Sequence, residues 1–571
     1  MRGEALEGAA AVREAYGQLR DRFDAVTRHA RDRFEARDWA GLLADSVERL
    51  GLYRRATNHA LTSLDSALGD RTRDHSLWRG LKLAYMDLVA TRGDRILAET
   101  FFNSVTRRVF TTVGVDPEIE FVDLDFEPAV PEEIAVHETL VHAEARTLVA
   151  ALLRRFAFRA PWEDFERDVQ AIAAEIEDTV GLRSDAAPLV VDFVPALFFR
   201  NQGAYLVGRL RADGRPRPLL LALLHRPEGI LVDAALMTEN DAALVFSYTR
   251  SYFLVEVDHP AALVAFLRTL MPSKRSHELW TSLGFNKHGK TQLYRDLLRH
   301  LADSEDAFVP ARGQRGMVMA VFTLPSFDVV FKVIRDRIER PKETTRELVE
   351  QKYQLVFNRD RAGRLVDAQE FEHLQFERAR FAPEVLEELL GTASSVVSLS
   401  GERVAIRHLY TERRLTPLDV YLREAEPLAA ERAVLDYGRA LRDLAATNIF
   451  PGDLLLKNFG VTRQGRVVFY DYDELALVTD CAFRELPSAR DDADELASEP
   501  WFYVGENDIF PEEFLPFIGL QGRLRDVFLE AHGELLAPRF WLDMQQRLRA
   551  GQLQEIFPYP PSRRLPHRQR T

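Results

Sequence analysis

The apolar residues of this chain change their spacing along its length, and that change bounds the fold more tightly than any single residue type. Up to about residue 115 they recur at helical intervals: Leu19, Phe23 and Val26 share one face, and Leu42, Leu43, Val47, Leu50 and Leu52 continue the pattern. The acid- and Pro-rich stretch DPEIEFVDLDFEPAVPEE (116–133) breaks it. Helical spacing resumes through 134–180. It then gives way to short apolar or alternating runs, AYLVGRLRA, PLLLALLHR, GILVDAAL and AALVFSYTRSYFLVEV, separated by turn residues. These predict a small sheet over 190–258. Helices are expected again from Pro260 to about Ala302.

A second shift of texture begins near residue 308. RGMVMAVFTLP and SFDVVFKVIRD are β-rich and joined by a tight Pro-Ser turn. Helical patterns follow at 342–356 and 366–391. SVVSL and RVAIRHLY read as strands, and the remainder is mainly helical apart from GRVVFYDYD. The expected fold class is α+β. Residues 1–305 form a mostly helical domain with the small sheet inserted, and 306–571 form a second domain in which strands precede helices. No internal repeat or low-complexity tract appears.

A chain of 571 residues is too long for one core, which agrees with two domains. Its formal charge of -14 argues against a nucleic-acid partner, because phosphate contacts need clustered Lys and Arg. Cys481 is the sole cysteine, so an intramolecular disulfide and a Cys-based zinc site are excluded, and a reducing cytosol suits the composition. No His-containing motif surrounds Cys481, which reads as an inert thiol. The charged N-terminus lacks the apolar stretch of a signal peptide, and no window approaches the about 18 apolar residues of a membrane span. A cytoplasmic location is expected. The basic, Pro-interrupted tail from Arg563 to Arg570 reads as a frayed end.

GFNKHGKT (284–291) matches the phosphate-loop pattern G-x-x-x-x-G-K-[ST], in which Lys290 would reach phosphates and Thr291 would hold a metal. The residues before it, SKRSHELWTSL, look helical and polar, whereas that loop should leave a buried strand. A loop joining helices is the better reading.

Three other blocks converge on phosphoryl transfer, a reaction that needs phosphates held, charge neutralised and a nucleophile aimed. In ARGQRGMVMAVFTLPSFDVVFKVI (311–334), Gly313 and Gly316 precede one strand. The next strand carries Lys332 on the same face as Val330 and Ile334. A Lys on a buried face needs an anionic partner; Glu347, Glu350 and Glu377 are all candidates. In IFPGDLLLKNFGV (449–461), Asp453 and Asn458 have the D-x-x-x-x-N spacing of a kinase catalytic loop. There the Asp orients a substrate hydroxyl and the Asn binds metal. Pro451-Gly452 stands where His-Arg is usual, and Lys457 is placed to neutralise a transferring phosphate. In GRVVFYDYDEL (465–475), an apolar strand delivers Asp471, followed by Asp473, like the metal-chelating D-F-G element. Taken singly these blocks are an edge-strand hairpin, a capped turn and a solvated turn. Their order and spacing together predict a two-lobed protein-kinase-like domain.

The long blocks MVMAVFTLPSFDVVFKVIRDR, KETTRELVEQKYQLVF, DRAGRLVDAQEFEHLQFERARF, IRHLYTERRLTPLDVYL, DLAATNIFPGDLLLKNFGVTR, GRVVFYDYDEL, EPWFYVGENDIFPEEF and GFNKHGKTQLYRDLLRHL resemble the bacterial isocitrate dehydrogenase kinase/phosphatase family. The resemblance is densest from about 280 to 520. It implies a bifunctional enzyme that phosphorylates and dephosphorylates isocitrate dehydrogenase, controls flux into the glyoxylate bypass, and hydrolyses ATP. It implies ATP (with ADP in the phosphatase reaction) and Mg2+ or Mn2+ as cofactors, and AMP acting allosterically through the N-terminal domain. Carried over, the ATP loop falls on Ala311, Arg312, Gly313, Gln314, Arg315, Gly316 and Met317, and the ATP lysine on Lys332. Asp453 is the kinase catalytic residue, with Lys457 beside it. Asn458 and Asp471 are metal ligands, and Asp367 is tied to phosphatase activity. From its own context Asp367 reads as a helix N-cap. The segment Trp501 to Phe514 matches the substrate-recognition loop. The competing reading is a degenerate kinase that only senses nucleotides; intact Lys332, Asp453, Asn458 and Asp471 disfavour it.

Overall fold

The computed structural model describes residues 2–122, 136–181, 188–212, 215–247, 252–338, 342, 344–359, 361–487, 502–505, 507–552 and 554–568. The chain divides into two compact units. One is Met1–Glu305 with His373–Gln375 and Phe557–Thr571; the other is Asp306–Glu372 with Phe376–Ile556.

The first unit begins with four helices, α1 (Arg2–Glu35), α2 (Trp39–Leu68), α3 (His75–Val89) and α4 (Arg95–Phe110). Asp38 caps α2 by accepting from Gly41 N–H at 2.9 Å, and Asp74 caps α3 through Ser76 and Leu77 N–H. Leu19, Phe23 and Val26 are buried as their spacing requires, whereas Val47 is exposed. Then follow β1 (Glu138–His142), α5 (Ala145–Arg155), α6 (Phe165–Val180), β2 (Leu189–Phe193), β3 (Phe198–Arg200), β4 (Gly203–Ala212), β5 (Arg215–Arg226) and β6 (Gly229–Leu236). The strands form one antiparallel sheet in the order β1-β2-β4-β5-β6, with β3 on β4.

Alternate residues of β5 enter different cores. Leu220 and Ala222 pack with α1, α3 and α4, while Leu219, Leu221 and Leu223 pack with α5 and α6. A sheet covered on both faces explains the unbroken apolar run of PLLLALL. The unit continues with α7 (Glu239–Val245), α8 (Pro260–Leu270), α9 (Ser276–Ser282) and α10 (Asn286–Asp303).

Three expectations for this unit fail locally. Residues 134–180 do not read as helix throughout, because the alternating ETLVH becomes β1 and pairs with β2. AALV of the last supposed strand becomes α7, because Thr238 caps it by accepting from Asp241 N–H at 3.1 Å. Every residue of that stretch is buried, so its hydropathy carried no period to read. The C-terminal tail is not frayed between Arg563 and Arg568. Leu565 is buried and its N–H donates to the Asp233 carbonyl, and Arg564 pairs with the buried Asp233 at 2.8 Å. Arg563 pairs with Asp241 and His567 with Asp168.

The second unit opens with β7 (Val309–Pro310), β8 (Met319–Leu324) and β9 (Phe327–Ile334). These are followed by α11 (Arg346–Arg359), β10 (Ala368–Glu377), α12 (Pro383–Thr392), β11 (Val397–Ser400) and β12 (Arg403–Arg413). Its sheet runs β10-β12-β9-β8-β7, with β11 on β12. Next come β13 (Thr416–Pro417), α13 (Leu418–Glu424), α14 (Pro427–Ala446), β14 (Phe459–Val461) and β15 (Val467–Phe469). The small β16 (Ala482–Phe483) and β17 (Asp508–Ile509) and the helices α15 (Phe514–Ile518), α16 (Gly522–His532) and α17 (Pro538–Arg549) complete it. The helices surround a core that includes Tyr437, Phe459, Phe469 and Trp541. The architecture is α+β, a strand-rich part followed by a helical part.

The helix expected over 366–391 is corrected: β10 occupies its first half and only α12 is helical. His373, at φ 56, departs from extended backbone within β10, and the buried Phe371 and Leu374 on either side of it stand three apart and imitate a helical interval. Among the described residues no helix is long and apolar enough to cross a membrane.

Candidate active site

Lys332 lies on β9, directly opposite Tyr410 of β12, which places Glu412 diagonally across the same face. Its Nζ is 2.8 Å from Glu412 Oε2 and donates to the Tyr470 carbonyl at 2.9 Å. Both charged groups are buried. Burial raises the Glu412 carboxyl pKa, against the pull of Lys332. The other Glu412 oxygen accepts from Tyr353 Oη at 3.1 Å, and the Tyr353 ring stacks on Tyr410 at 3.8 Å. None of Glu347, Glu350 and Glu377 is the partner of Lys332, and Glu377 is exposed. In protein kinases a helix supplies that carboxylate; in this chain a neighbouring strand supplies it and α11 supplies the tyrosine that orients it. A glutamate at the inward parity of RVAIRHLYTER was the available signal.

The catalytic-loop block sits between α14 and β14. Gly452, at φ 79, turns the chain where a Cβ would lie 2.4 Å from the Glu474 carbonyl, so only glycine serves there. Asp453 Oδ1 accepts from Leu455 N–H at 2.9 Å. The buried Asn458 donates to the Asp453 carbonyl at 3.4 Å, which leaves its amide oxygen as an acceptor. Lys457 is tied at its carbonyl, which accepts from the Tyr470 hydroxyl.

β15 pairs with β14, and the chain leaving it delivers Asp471 and Asp473. Burial, reinforced by the Asp473 charge, pushes the Asp471 carboxyl up to about 7. Lys342 balances part of this charge, at 2.6 Å from Asp473 and 2.8 Å from Glu474.

A cleft of about 750 Å³ is lined by Ala311 through Met317, Lys332, Lys342, Glu412, Asp453, Lys457, Asn458, Asp471 and Asp473. The structure thus gathers twelve of the thirteen expected site residues around one space. Gly313, at φ 117, belongs to the loop joining β7 to β8. Asp367 is not among the lining residues. It precedes a strand and therefore is not a helix N-cap, and its Oδ2 accepts from Gln369 Nε2 at 2.6 Å. Leu365 and Phe469 form a parallel bridge, so Asp367 and Asp471 each follow two residues beyond a paired position.

GFNKHGKT belongs to the first unit and is not among the residues lining this cleft. The short helix α9 precedes it, and α10 starts inside it at Asn286. Cys481 is buried, and burial with the Asp480 charge pushes its thiol up to about 11. A group so rarely ionised is no nucleophile.

Residues 306–561 match the family model of the isocitrate dehydrogenase kinase/phosphatase (AceK) kinase domain, and residues 9–305 match that of its regulatory domain. The chain belongs to the isocitrate dehydrogenase kinase/phosphatase family. It is 54% identical over 568 residues to the "Isocitrate dehydrogenase kinase/phosphatase" of Anaeromyxobacter sp. (strain Fw109-5), covering 99% of this chain and 98% of that one. The protein of the same name from Xanthomonas euvesicatoria pv. vesicatoria (strain 85-10) is 42% identical over 565 residues, covering 98% of each chain.

For a member of the isocitrate dehydrogenase kinase/phosphatase family, the donor set in the cleft fits a hard divalent cation. Asn458 offers an amide oxygen and Asp471 a carboxylate, the hard oxygen donors such a cation takes. Asp471 and Asp473 also repel one another in a buried setting, a strain that bound positive charge relieves.

Proposed function

We propose that this protein uses the cleft to transfer a phosphoryl group from ATP to a serine of isocitrate dehydrogenase, and to remove it again in a nucleotide-dependent reaction. The observation that carries the reading is the convergence of Lys332, Asp453, Asn458 and Asp471 on one space, in a chain matched by the family from residue 9 to residue 561.

Each residue has a physical task. The amides of Ala311 to Met317 approach the nucleotide phosphates, and the two glycines permit that approach. Lys332, held by Glu412 and by the Tyr470 carbonyl, presents a fixed positive charge to the phosphates. Asp453 orients the serine hydroxyl and accepts its proton as the oxygen attacks phosphorus. Lys457 offsets charge on the group in transit. Asn458 and Asp471 would hold Mg2+ or Mn2+, which supplies neutralisation of the phosphate oxygens. In the reverse direction Asp367 positions water for attack on phosphoserine. AMP acts through residues 1–305 by favouring one of two conformations. The enzyme acts in the cytoplasm and meets its protein substrate partly through the segment around Tyr503, which is 83% exposed. Trp501, at the start of that segment, lies outside the described residues.

The test is incubation of the full chain with terminally labelled ATP and purified isocitrate dehydrogenase, with and without AMP. Label should enter a serine of the dehydrogenase, and AMP should change the balance between its transfer and its release. Asp471→Asn should lose kinase, phosphatase and ATPase activities together. Normal dephosphorylation by that variant would overturn the shared site.

A further inference from the structure

Outside the cleft, the strongest unexplained chemistry lies within the first unit, where two buried arginines meet the start of a helix. Arg20 on α1 and Arg49 on α2 are only 8% and 7% exposed. Arg20 pairs through Nη2 with Asp24 at 3.0 Å and through Nε with Asp94 at 3.2 Å. Asp94 is shared, since it also takes Arg92 at 2.7 Å and the Tyr16 hydroxyl at 2.7 Å. Arg20 Nη1 is buried and has no hydrogen-bond partner. Arg49 donates to carbonyls rather than to a carboxylate, to Phe253 at 2.9 Å and Leu283 at 3.2 Å, and its Nε is likewise buried without a partner. Both guanidiniums lie near the Phe23 ring, that of Arg49 at 3.8 Å and that of Arg20 at 5.1 Å from its centroid. Burial and the Arg20 charge push the Arg49 pKa down to about 9, a sign that positive charge is under-compensated.

The residues opposite belong to GFNKHGKT. Gly284 has φ 88, and a Cβ on it would lie 2.3 Å from Arg49 Nη2, so the glycine makes room for the guanidinium. Phe285 then leads into α10, an 18-residue helix that begins at Asn286 without a side-chain cap. The first amides of such a helix lack partners within it and carry the positive end of its dipole. Arg20, Arg49, Gly284 and the residues Phe285 to His288 line a common cavity of about 60 Å³. That is room for a few waters or one small group and far too little for a nucleotide.

We propose that this cavity binds a small oxyanion, the carboxylate or phosphate group of a metabolite. Two buried guanidiniums, each with one nitrogen lacking a partner, and an uncapped helix start line one space, and oxyanions are what such donors jointly select. Asp24 and Asp94 on the far side of Arg20 oppose the ligand, so a monoanion or dianion is accommodated rather than a polyphosphate. The motif thus takes part in anion binding without a strand before it, and through backbone and glycine rather than through Lys290.

The test is calorimetric titration of the full chain with inorganic phosphate, and separately with acetate, at fixed ionic strength with chloride as the reference. Saturating magnesium and a non-hydrolysable ATP analogue block the cleft. Phosphate or acetate should bind saturably, and whichever binds identifies the group selected. Arg20→Gln should weaken binding about tenfold or more, the loss of one charge-assisted hydrogen bond, and Arg20→Lys by less. Absence of saturable binding by either anion, or undiminished binding in a folded Arg20→Gln, overturns the proposal. If Arg20→Gln does not fold, wild-type crystals soaked in selenate decide. An anomalous peak within hydrogen-bond reach of Arg20 Nη1 supports the site, and its absence overturns it.

Discussion

Lys332 and Glu412 lie 2.8 Å apart on neighbouring strands, so one sheet carries both members of the ion pair. In kinases where a helix carries the carboxylate, shifting that helix breaks the pair. A strand-to-strand pair inside one sheet removes that means of control. The other groups that fix this pair are the Tyr353 hydroxyl of α11, on the second Glu412 oxygen, and the Tyr470 carbonyl, on Lys332.

Glu412→Gln should therefore behave as an active-site lesion. It removes the countercharge of a buried lysine, a change that costs about 3 kcal/mol or more where no other anion replaces it. ATP hydrolysis, kinase and phosphatase activities should fall at least tenfold with a raised KM for ATP. Glu350→Gln should stay within about twofold of wild type. Steady-state ATPase kinetics on both variants check this, and the opposite ranking would return the pairing to α11.

Asp367→Ala should separate the two reactions. Asp367 precedes a strand, so no helix cap is lost, and the change removes one acceptor from Gln369. A general acid or base contributes about 10²- to 10⁴-fold. Phosphatase activity should drop on that scale while most kinase activity remains, and Asp453→Ala should do the reverse. Parallel assays with a thermal melt provide the check; equal loss of both activities at a lowered Tm would assign Asp367 to structure.

Arg564→Ala should destabilise the first unit although it lies seven residues from the C-terminus. It strips a countercharge from the fully buried Asp233, leaving, among the described residues, only the Tyr559 hydroxyl on that carboxylate. The cost is about 3 kcal/mol. Asp233→Asn combined with Arg564→Met should cost less than the sum of the single changes, as a double-mutant cycle in urea would show.

His288 predicts a pH dependence. It is buried against Trp280 and bonded to Thr100 at 2.7 Å, and burial pushes its pKa down to about 3. The unfolded chain binds a proton below about 6.5 that the folded one refuses until about 3, so stability falls as pH drops through that window. At pH 5 the loss is about 2 kcal/mol relative to pH 7.5. His288→Gln should flatten this dependence in urea midpoints measured at the two pH values. An unchanged slope would show that the imidazole reaches water in the native state.

The sequence by itself determined the chemistry of the cleft and the order of its parts. Lys332, Asp453, Asn458 and Asp471 are readable because short motifs fix local geometry. A strand sets the parity of Lys332, and a turn sets the step from Asp453 to Asn458. The double-faced run Leu219 to Leu223 is readable for the same reason, since burial on both faces leaves no polar residues. Tertiary structure decided everything that depends on partners distant in the chain. Glu412 meets Lys332 only because β12 pairs with β9 across 80 residues, and residue spacing carries no record of that pairing. The positive φ at His373 goes with a strand that looks helical, because a period read along the chain assumes uniform backbone angles. The tail from Arg563 to Arg568 is polar and Pro-interrupted, and it is ordered only because Asp233, Asp241 and Asp168 await it within the first unit. Local sequence encodes conformational preference; which charges neutralise one another is settled when the chain closes on itself.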